Sequence, residues 1–467
     1  MGTAGVHAWR LSAMAMGKRK ARQVELFVAS EQLAKSPGHP FYQALNRLLA
    51  DADFDHWIER RCARYYEQQE KRGQPSLPPG VFFRMLLVGY FEGLDSQRSI
   101  AWRCADSLSL REFLGIGLQA GTPDHSTLTN TRKRLPDEVF DEVFQFVLRL
   151  AAEKKLLSGK TVGVDSTLLE ANAAMKGIVR RDTGEDWQAY VTRLMREEGA
   201  IAADHEPTAE EVRRYDKKRK DKRVSNDDWQ SPSDPDSRIT KMKDGRTHLA
   251  YKAEHVIDLK SDVILAAEIR QGDEADTQTL VDSVMEAVEN LKQAGADSKI
   301  EEIVADKGYH AAETLELARG LGFRTYIPEP QRVHASRWTD KPAAQQQAVY
   351  SNRQRVRRTK SRKLQRLRSE RCERTFAHLC DSGGTRRSWL RGLANVSKRY
   401  LLAAAAHNLG RILFKLLGVG KPKSLQGDRL FAALIQLLRA WRRACLMILS
   451  ALAAAYRLVP TYNTAVK

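Results

Sequence analysis

The amino-acid sequence predicts an α/β fold, with an all-helical first part followed by a mixed sheet that helices flank. Three observations lead to this prediction. Apolar residues recur at helical spacing in several segments between residues 26 and 155. From Lys160 onward, strand patterns alternate with helical segments. Prolines and glycines separate the segments in both parts, as expected at turns.

The charge of the chain indicates a polyanionic partner. The chain has 467 residues, 42% of them hydrophobic, which is enough for two or three domains with real cores. Its formal net charge is +19 and its pI is about 9.7. Such a balance favours nucleic acid first and an anionic membrane second. The strongest apolar run, residues 444–455, is too short for a membrane span of ~20 residues, so we expect no membrane association.

Five cysteines occur, without a Cys-x-x-Cys pair. An odd number without that spacing argues against a disulfide framework and a zinc ribbon, and it fits a reducing compartment. Cys372, His378 and Cys380 are close in sequence, but no fourth zinc ligand is apparent. We therefore interpret them as helix-packing residues and expect a cytoplasmic protein.

The first part of the chain is typical of a helix-turn-helix domain. Five segments have helical spacing: residues 41–49, 54–66, 81–90, 99–108 and 138–150. The best candidate for a recognition helix is residues 122–135, with Asp124 or Ser126 as its N-cap. Five of its polar residues are predicted to face phosphates or base edges: Thr127, Asn130, Arg132, Lys133 and Arg134. The alternative is an ordinary solvated helix face.

The second part has the order of a ribonuclease-H-like mixed sheet. Residues 161–169 alternate as a strand with an aspartate on its polar side. The patterns that follow predict a hairpin at 248–269, a helix at 277–294, a strand at 300–306, a helix at 311–321, a strand at 323–327 and a helix at 361–379. Strands and helices in this order match that fold class.

These patterns divide the chain into four parts. We predict a flexible basic arm at residues 1–25, a helical DNA-binding domain at 26–155, a ribonuclease-H-like catalytic domain at 156–417 and a helical tail at 418–467. The catalytic domain carries a polar and basic insertion at about 175–247, with a basic helix and a mobile linker rich in Ser, Pro and Asp.

Three separated carboxylates are the strongest indication of chemistry. Asp165 lies on the polar side of the first strand, Asp306 follows a buried strand, and Glu373 lies in a very basic helix. Two aspartates and a glutamate suffice to hold two Mg²⁺ ions, with Mn²⁺ as the substitute, because water and substrate phosphate fill the other positions. Taken singly, each acid is more often a turn or salt-bridge residue. Glu370 is the rival for the third position, and Asp381 is a weaker one.

The densest positive run, residues 353–374, leads directly into the helix that carries Glu373. We interpret it as a track for the phosphate backbone beside the active site, although such a run is usually a solvated surface. The predicted contacts are Arg357, Arg358, Arg362, Lys363, Arg366, Arg371, Arg386 and Arg387. Trp338 and Trp389 are candidates for stacking on an unpaired base, but packing is the better interpretation for both.

At these residues the sequence resembles bacterial insertion-sequence transposases of the DDE type, in the branch with a large insertion between the first two acids. Three blocks carry the resemblance: Val-Asp-Ser-Thr at 164–167, Ala-Asp-Lys-Gly-Tyr at 305–309 and Glu-Arg-Thr-Phe-Ala-His at 373–378. The resemblance covers about residues 25–417 and implies Asp165, Asp306 and Glu373 as metal ligands. Such transposases often carry Arg four residues before the glutamate and Lys seven after it, where this chain has Ser369 and Cys380.

The resemblance implies a transposase that binds double-stranded DNA at the inverted repeats of its element. It would cut each end and join the freed 3′-hydroxyls to target DNA, acting as a homodimer because two ends must be held together. Two rival functions remain open. One is a metal-dependent nuclease without strand transfer, and the other is a DNA-binding repressor with an inactive triad.

Overall fold

A computed structural model describes residues 38–66, 76–220, 225–242, 244–330 and 338–425. The predicted N-terminal arm lies outside these ranges, as does nearly all of the predicted C-terminal tail. Within the described ranges, no helix has both the length and the apolar character needed to cross a bilayer.

The first part of the described chain is helical, as the sequence predicts. Its helices are α1 (Pro40–Asp51), α2 (Phe54–Cys62), α3 (Pro79–Glu92), α4 (Gln97–Ala105), α5 (Leu108–Phe113), α6 (His125–Arg134) and α7 (Asp137–Glu153). Of the two N-cap candidates for α6, Asp124 caps the helix: its carboxylate accepts a hydrogen bond of 2.8 Å from the backbone N–H of Ser126.

The second part combines strands and helices. It runs β1 (Thr161–Glu170), β2 (Val179–Arg180), α8 (Trp187–Glu197), α9 (Ala209–Lys218), β3 (Trp229–Gln230), β4 (Arg238–Lys241), β5 (Thr247–Asp258), β6 (Ile264–Gln271), α10 (Asp276–Gln293), β7 (Glu302–Val304), α11 (Ala312–Gly320), β8 (Arg324–Tyr326), α12 (Ala343–Val356), α13 (Thr359–Phe376) and α14 (Leu393–Leu417). A single π-helical turn, Ala377–Ser382, continues α13.

The main sheet is mixed, in the order β4-β5-β1-β7-β8, and β6 also pairs with β5. Strand β1 is antiparallel to β5, where Asp165 lies opposite His255, and parallel to β7. Strand β7 is in turn parallel to β8. Helices α10 and α13 pack against opposite faces of this sheet. The α/β class predicted from the sequence, a mixed sheet with flanking helices, is confirmed.

Strand β1 is more buried than its sequence pattern predicts. Gly163 is on the face assigned to polar residues, yet it is buried beneath α13. A Cβ atom at Gly163 would lie 2.7 Å from a methyl carbon of Leu259 and 3.2 Å from Cγ of Arg368. The absence of a side chain therefore lets α13 approach the strand that carries Asp165.

Helix α14 joins the helical part to the sheet, since it packs against both α7 and β6. The side chain of Asn408 accepts a hydrogen bond from the backbone N–H of Ile264 and donates one to its carbonyl, both at 2.9 Å. One contiguous core consequently extends from Phe41 to Leu413. The boundary predicted near residue 155 is therefore not a gap in the packing.

The insertion is folded through most of its length. Helices α8 and α9 enclose a small core of Val191, Met195 and Val212. The segment 231–236, predicted to be a mobile linker, is instead anchored. The fully buried Asp234 accepts hydrogen bonds from the hydroxyl of Tyr251 (2.6 Å) and from the N–H of Gly392 (2.9 Å).

We predict that Asp234→Ala lowers the free energy of unfolding by about 2–4 kcal/mol, because it removes two buried hydrogen bonds to a carboxylate and leaves their donors unpaired. Urea unfolding measures this change. The matched control is Asp204→Ala, an exposed acid of the same insertion, which should change stability little. Equal effects of the two substitutions would show that the segment is not anchored.

Candidate active site

The carboxylate of Asp165 is largely buried on β1, with its side chain 21% exposed. One oxygen accepts a hydrogen bond from the backbone N–H of Ser166 (3.0 Å), and the other lies 2.9 Å from Nη1 of Arg368 on α13. Burial raises the pKa of Asp165 to about 6, and the charge of Asp306 adds to this rise. The guanidinium of Arg368 opposes it only in part, so the site is short of positive charge.

Asp306 lies beside Asp165 because of the strand register. Gly163 pairs with Val304 in the parallel ladder between β1 and β7, and each acid follows its strand partner by two residues. The carboxylate of Asp306 accepts a hydrogen bond of 2.8 Å from the N–H of Gly308, which lies in a turn of 3₁₀ helix. The two aspartates are therefore neighbours beside the carboxyl end of β7, in the interior of the sheet order.

Glu373 lies on α13, the helix that covers β1, but its carboxylate is exposed and accepts a hydrogen bond of 2.7 Å from the hydroxyl of Ser369. Its neighbour Cys372 faces the strand, with Sγ 3.4 Å from the position of a Cβ at Gly163. Burial first, and then the charges of Asp165 and Glu373, raise the pKa of the Cys372 thiol. Glu373 is thus near the aspartates without pointing at them.

The residues considered as alternatives have other partners. Glu370 pairs with Arg374, and Asp381 pairs with Arg386 at 3.0 Å. Within the described ranges, no three His, Cys, Asp or Glu residues are close enough together to hold a metal ion. The three acids of the predicted triad are therefore not yet gathered into one ligand set in this conformation.

The aspartate pair nevertheless suits a hard divalent cation. Its donors are carboxylate oxygens, which Mg²⁺ and Mn²⁺ prefer. Burial outweighs Arg368 in its effect on the pKa of Asp165, so a further positive charge would stabilise the ionised form. For Asp165 to offer both oxygens, Arg368 has to release the one it contacts.

A buried polar network supports the site from the opposite face of the sheet. Glu254 on β5 is 1% exposed and accepts hydrogen bonds from the hydroxyls of Thr279 (2.7 Å) and Ser283 (2.6 Å) on α10. It also accepts one of 3.2 Å from Tyr309, in the turn that Asp306 begins. This hydrogen bond ties the loop of Asp306 to the centre of the sheet.

Lys252 completes the network. Its ammonium lies 2.7 Å from Asp276 and 3.3 Å from Glu254, and Asp276 accepts a hydrogen bond of 2.9 Å from the hydroxyl of Ser166. The residues next to both catalytic candidates are therefore held by buried polar contacts. The sequence signal for this network was the pair of charges at 252 and 254 in the middle of a strand pattern, which was not used in predicting the site.

The polar residues predicted on α6 do not share one environment. Asn130 and Lys133 are exposed and Thr127 is half-buried, whereas Arg134 has its guanidinium 4.7 Å from the ring centre of Tyr66. Arg132 is only 9% exposed. Arg132 is therefore covered from solvent, unlike Asn130 and Lys133, which are exposed on the same helix.

The cations predicted to contact DNA from the basic run and the loop after it also differ in their surroundings. Five of them are exposed and form no ion pair within the described part of the chain: Arg357, Arg358, Arg362, Lys363 and Arg366. Arg371 instead pairs at 2.5 Å with the buried Asp262, a structural role that the sequence did not predict. Arg386 and Arg387 are exposed near Asp381 and Glu170, respectively.

A polar cleft of about 800 Å³ lies beside the second half of β1. Ser166, Thr167 and Glu170 line it from β1, and Lys241 and Arg386 line it from neighbouring elements. The guanidinium of Arg386 lies 3.3 Å from the hydroxyl of Thr167, which is on the same face of β1 as Asp165. Asp165, Asp306 and Glu373 do not line this cleft, so it borders the candidate site and does not contain it.

We predict that Asp165→Asn becomes more stabilising as pH rises. The folded-state pKa of about 6 exceeds the ordinary value of 3.8, so the wild type loses stability as Asp165 ionises between these values. The unfolding free energy of the variant minus that of the wild type should increase by about 2–3 kcal/mol between about pH 4 and pH 7.

Urea unfolding at several pH values in EDTA measures that difference. Asp381→Asn is the control, because that carboxylate is 60% exposed. The control substitution at this exposed position should change the free energy of unfolding little. A flat curve for Asp165→Asn would mean that the buried carboxylate carries no uncompensated charge.

Two family models match separate parts of the chain. The family described as Transposase domain (DUF772) matches residues 30–134, and the family described as Transposase DDE domain matches residues 209–409. The second match includes Asp306 and Glu373 and begins after Asp165. No curated protein matches the chain.

Among solved structures, the chain is similar to the crystal structure of the Mos1 mariner paired end complex with Mn. The identity is 10% and the TM-score is 0.18, with 74% of this chain and 99% of that chain covered. A likeness this slight carries no argument about the site. The similarity to transposases therefore rests on the two family matches, which come from the sequence.

Proposed function

This chain belongs to the DDE transposases of insertion sequences, and we propose that it cuts and joins DNA at the ends of its own element. The observation that carries this proposal is the register of the sheet. It makes Asp165 and Asp306 neighbours on parallel strands, while Glu373 lies on the helix that packs over the first of them.

In the proposed reaction, water first attacks a phosphodiester at each end. The bond from phosphorus to the 3′ oxygen breaks and leaves a 3′-hydroxyl on the element. That hydroxyl then attacks a phosphorus of the target DNA, forms a new phosphodiester and displaces a target 3′ oxygen. Two Mg²⁺ ions, or Mn²⁺ in their place, held by Asp165, Asp306 and Glu373 would polarise the phosphate and stabilise both oxygens.

The chain's own residues prepare this site in two ways. The network of Lys252, Glu254 and Asp276 holds Ser166 and Tyr309, and so fixes the backbone on either side of the aspartate pair. On the other face, two contacts have to open before the triad assembles. They are the ion pair of Asp165 with Arg368 and the hydrogen bond of Glu373 with Ser369.

We propose double-stranded DNA as the partner, namely the inverted repeats and the target. The exposed cations around the start of α13 supply a surface for its phosphates. Both ends of the element have to be held during joining, so we propose that the protein acts as a homodimer on DNA.

We predict that Asp165→Asn, Asp306→Asn and Glu373→Gln each reduce cleavage about 10³-fold or more while DNA binding persists, because each removes a charged ligand at the reacting phosphate. The substrate is DNA that carries the ends flanking the gene, incubated in Mg²⁺ and in EDTA. Gel analysis of cut and joined products measures the reduction.

Glu370→Gln is the matched control, since Glu370 lies one turn away on the same helix and pairs with Arg374. It should cleave like the wild type. Cleavage that survives Glu373→Gln but not Glu370→Gln would contradict the choice of glutamate. Cut products without joined ones would indicate a nuclease, and binding without any cut would indicate a repressor.

A second prediction concerns the basic surface. The double variant Arg362→Gln/Lys363→Gln should weaken DNA binding and reduce the slope of log affinity against log salt by about 0.9 for each phosphate that the protein no longer neutralises. Fluorescence anisotropy at several salt concentrations measures this slope. Lys292→Gln is the control, an exposed lysine on α10, and an unchanged slope in the double variant would place DNA elsewhere.

A further inference from the structure

A small cavity lies where α3, α4, α6 and α14 meet the loop after the π-helical turn. Its volume is about 50 Å³. Most of its lining is apolar, but Tyr90, Arg132, Trp389 and Arg399 also face it. None of these four residues belongs to the proposed catalytic site.

Arg132 is the first sign that the cavity takes a ligand. Its side chain is buried, and its Nε and Nη1 atoms have no hydrogen-bond partner among the described residues. No carboxylate in the described ranges lies within 4 Å of its guanidinium. A buried cation without an anionic partner is costly, so an anion at this position would stabilise it.

Arg399, which also lines the cavity, likewise has a buried guanidinium nitrogen without a hydrogen-bond partner among the described residues. Its Nη2 donates a hydrogen bond of 2.5 Å to the carbonyl of Gly384, but its buried Nη1 has no partner in the described part of the chain. Burial lowers the pKa of Arg399 to about 10, and the positive charge of Arg132 adds to this effect. The charge of Asp95 offsets it only in part.

Two neutral donors complete the lining. Trp389 has its ring centre 5.5 Å from the guanidinium carbon of Arg132 and 5.0 Å from that of Arg399. Within residues 38–425 as far as they are described, neither its indole N–H nor the buried hydroxyl of Tyr90 has a hydrogen-bond partner. Four side chains thus bring unused donors to one cavity.

The size of the cavity limits the ligand. One water needs about 10–15 Å³ by this measure, so the cavity has room for roughly four water-sized groups. A tetrahedral oxyanion presents four oxygen atoms, and planar guanidinium groups are suited to bind them.

We propose that Arg132, Arg399, Trp389 and Tyr90 form a binding site for one tetrahedral oxyanion, of the phosphate or sulfate class. The bound anion links α6 to α14 and the loop before it. The ligand is either free inorganic phosphate or one phosphate of the DNA backbone, since both offer the same oxygens.

The test is calorimetric titration of the full-length protein with inorganic phosphate at constant ionic strength. We expect saturable binding of one phosphate per chain, and an affinity at least about tenfold weaker in Arg132→Gln. Trp389→Phe keeps an aromatic ring and removes the indole N–H, so it should also weaken phosphate binding. This second variant tests the site independently of whether Arg132→Gln folds. Arg98→Gln, an exposed arginine on α4, should bind like the wild type.

Thermal unfolding in phosphate and in chloride gives an independent readout, because a ligand that binds only the folded state raises Tm. Equal Tm values in the two salts, or unchanged phosphate affinity in both cavity variants, would overturn the proposal. End DNA that displaces phosphate, together with weaker DNA binding by Trp389→Phe, identifies a backbone phosphate as the ligand. DNA binding that Trp389→Phe leaves intact identifies free phosphate.

Discussion

The ion pair between Asp165 and Arg368 joins the central strand of the sheet to the helix that covers it. It exists because Gly163 has no side chain and lets α13 approach within van der Waals distance of β1. It also affects the pKa of Asp165. Burial and the charge of Asp306 raise this pKa, and the guanidinium of Arg368 lowers it by less than they raise it. A further cation would stabilise the ionised form of Asp165, and it would compete with Arg368 for the carboxylate.

The two faces of the sheet contribute differently to this arrangement. On the face of α10, the carboxylate of Glu254 and the ammonium of Lys252 are buried and hydrogen-bonded, which makes a rigid support. On the face of α13, the carboxylate of Glu373 is exposed and accepts a hydrogen bond from Ser369. Buried polar contacts therefore hold the backbone around the aspartates, whereas the exposed carboxylate of Glu373 has only the hydroxyl of Ser369 as a hydrogen-bond partner among the described residues.

Several elements were predictable from the sequence. Helix α10 is amphipathic and buries one face, and the runs of β5 and β6 are separated by a turn, as expected of a hairpin. Of the three acids, Asp165 lies within β1, Asp306 follows β7 and Glu373 lies on α13. Helix α14 has no polar stripe, since Ala403 and its neighbours are buried all round, so its local sequence gives no helical period. The anchoring of Asp234 and the burial of Arg132 depend on distant residues, Tyr251 and Trp389, which no local pattern reveals.

A shared metal centre is tested most directly by counting the Mn²⁺ ions bound by the protein on its end DNA, using electron paramagnetic resonance to measure free Mn²⁺. We expect two ions per active site in the wild type, and a loss of binding in Asp165→Asn, Asp306→Asn and Glu373→Gln alike. Binding that Asp165→Asn and Asp306→Asn abolish but Glu373→Gln leaves intact would contradict this expectation, because the three acids would then not form one centre.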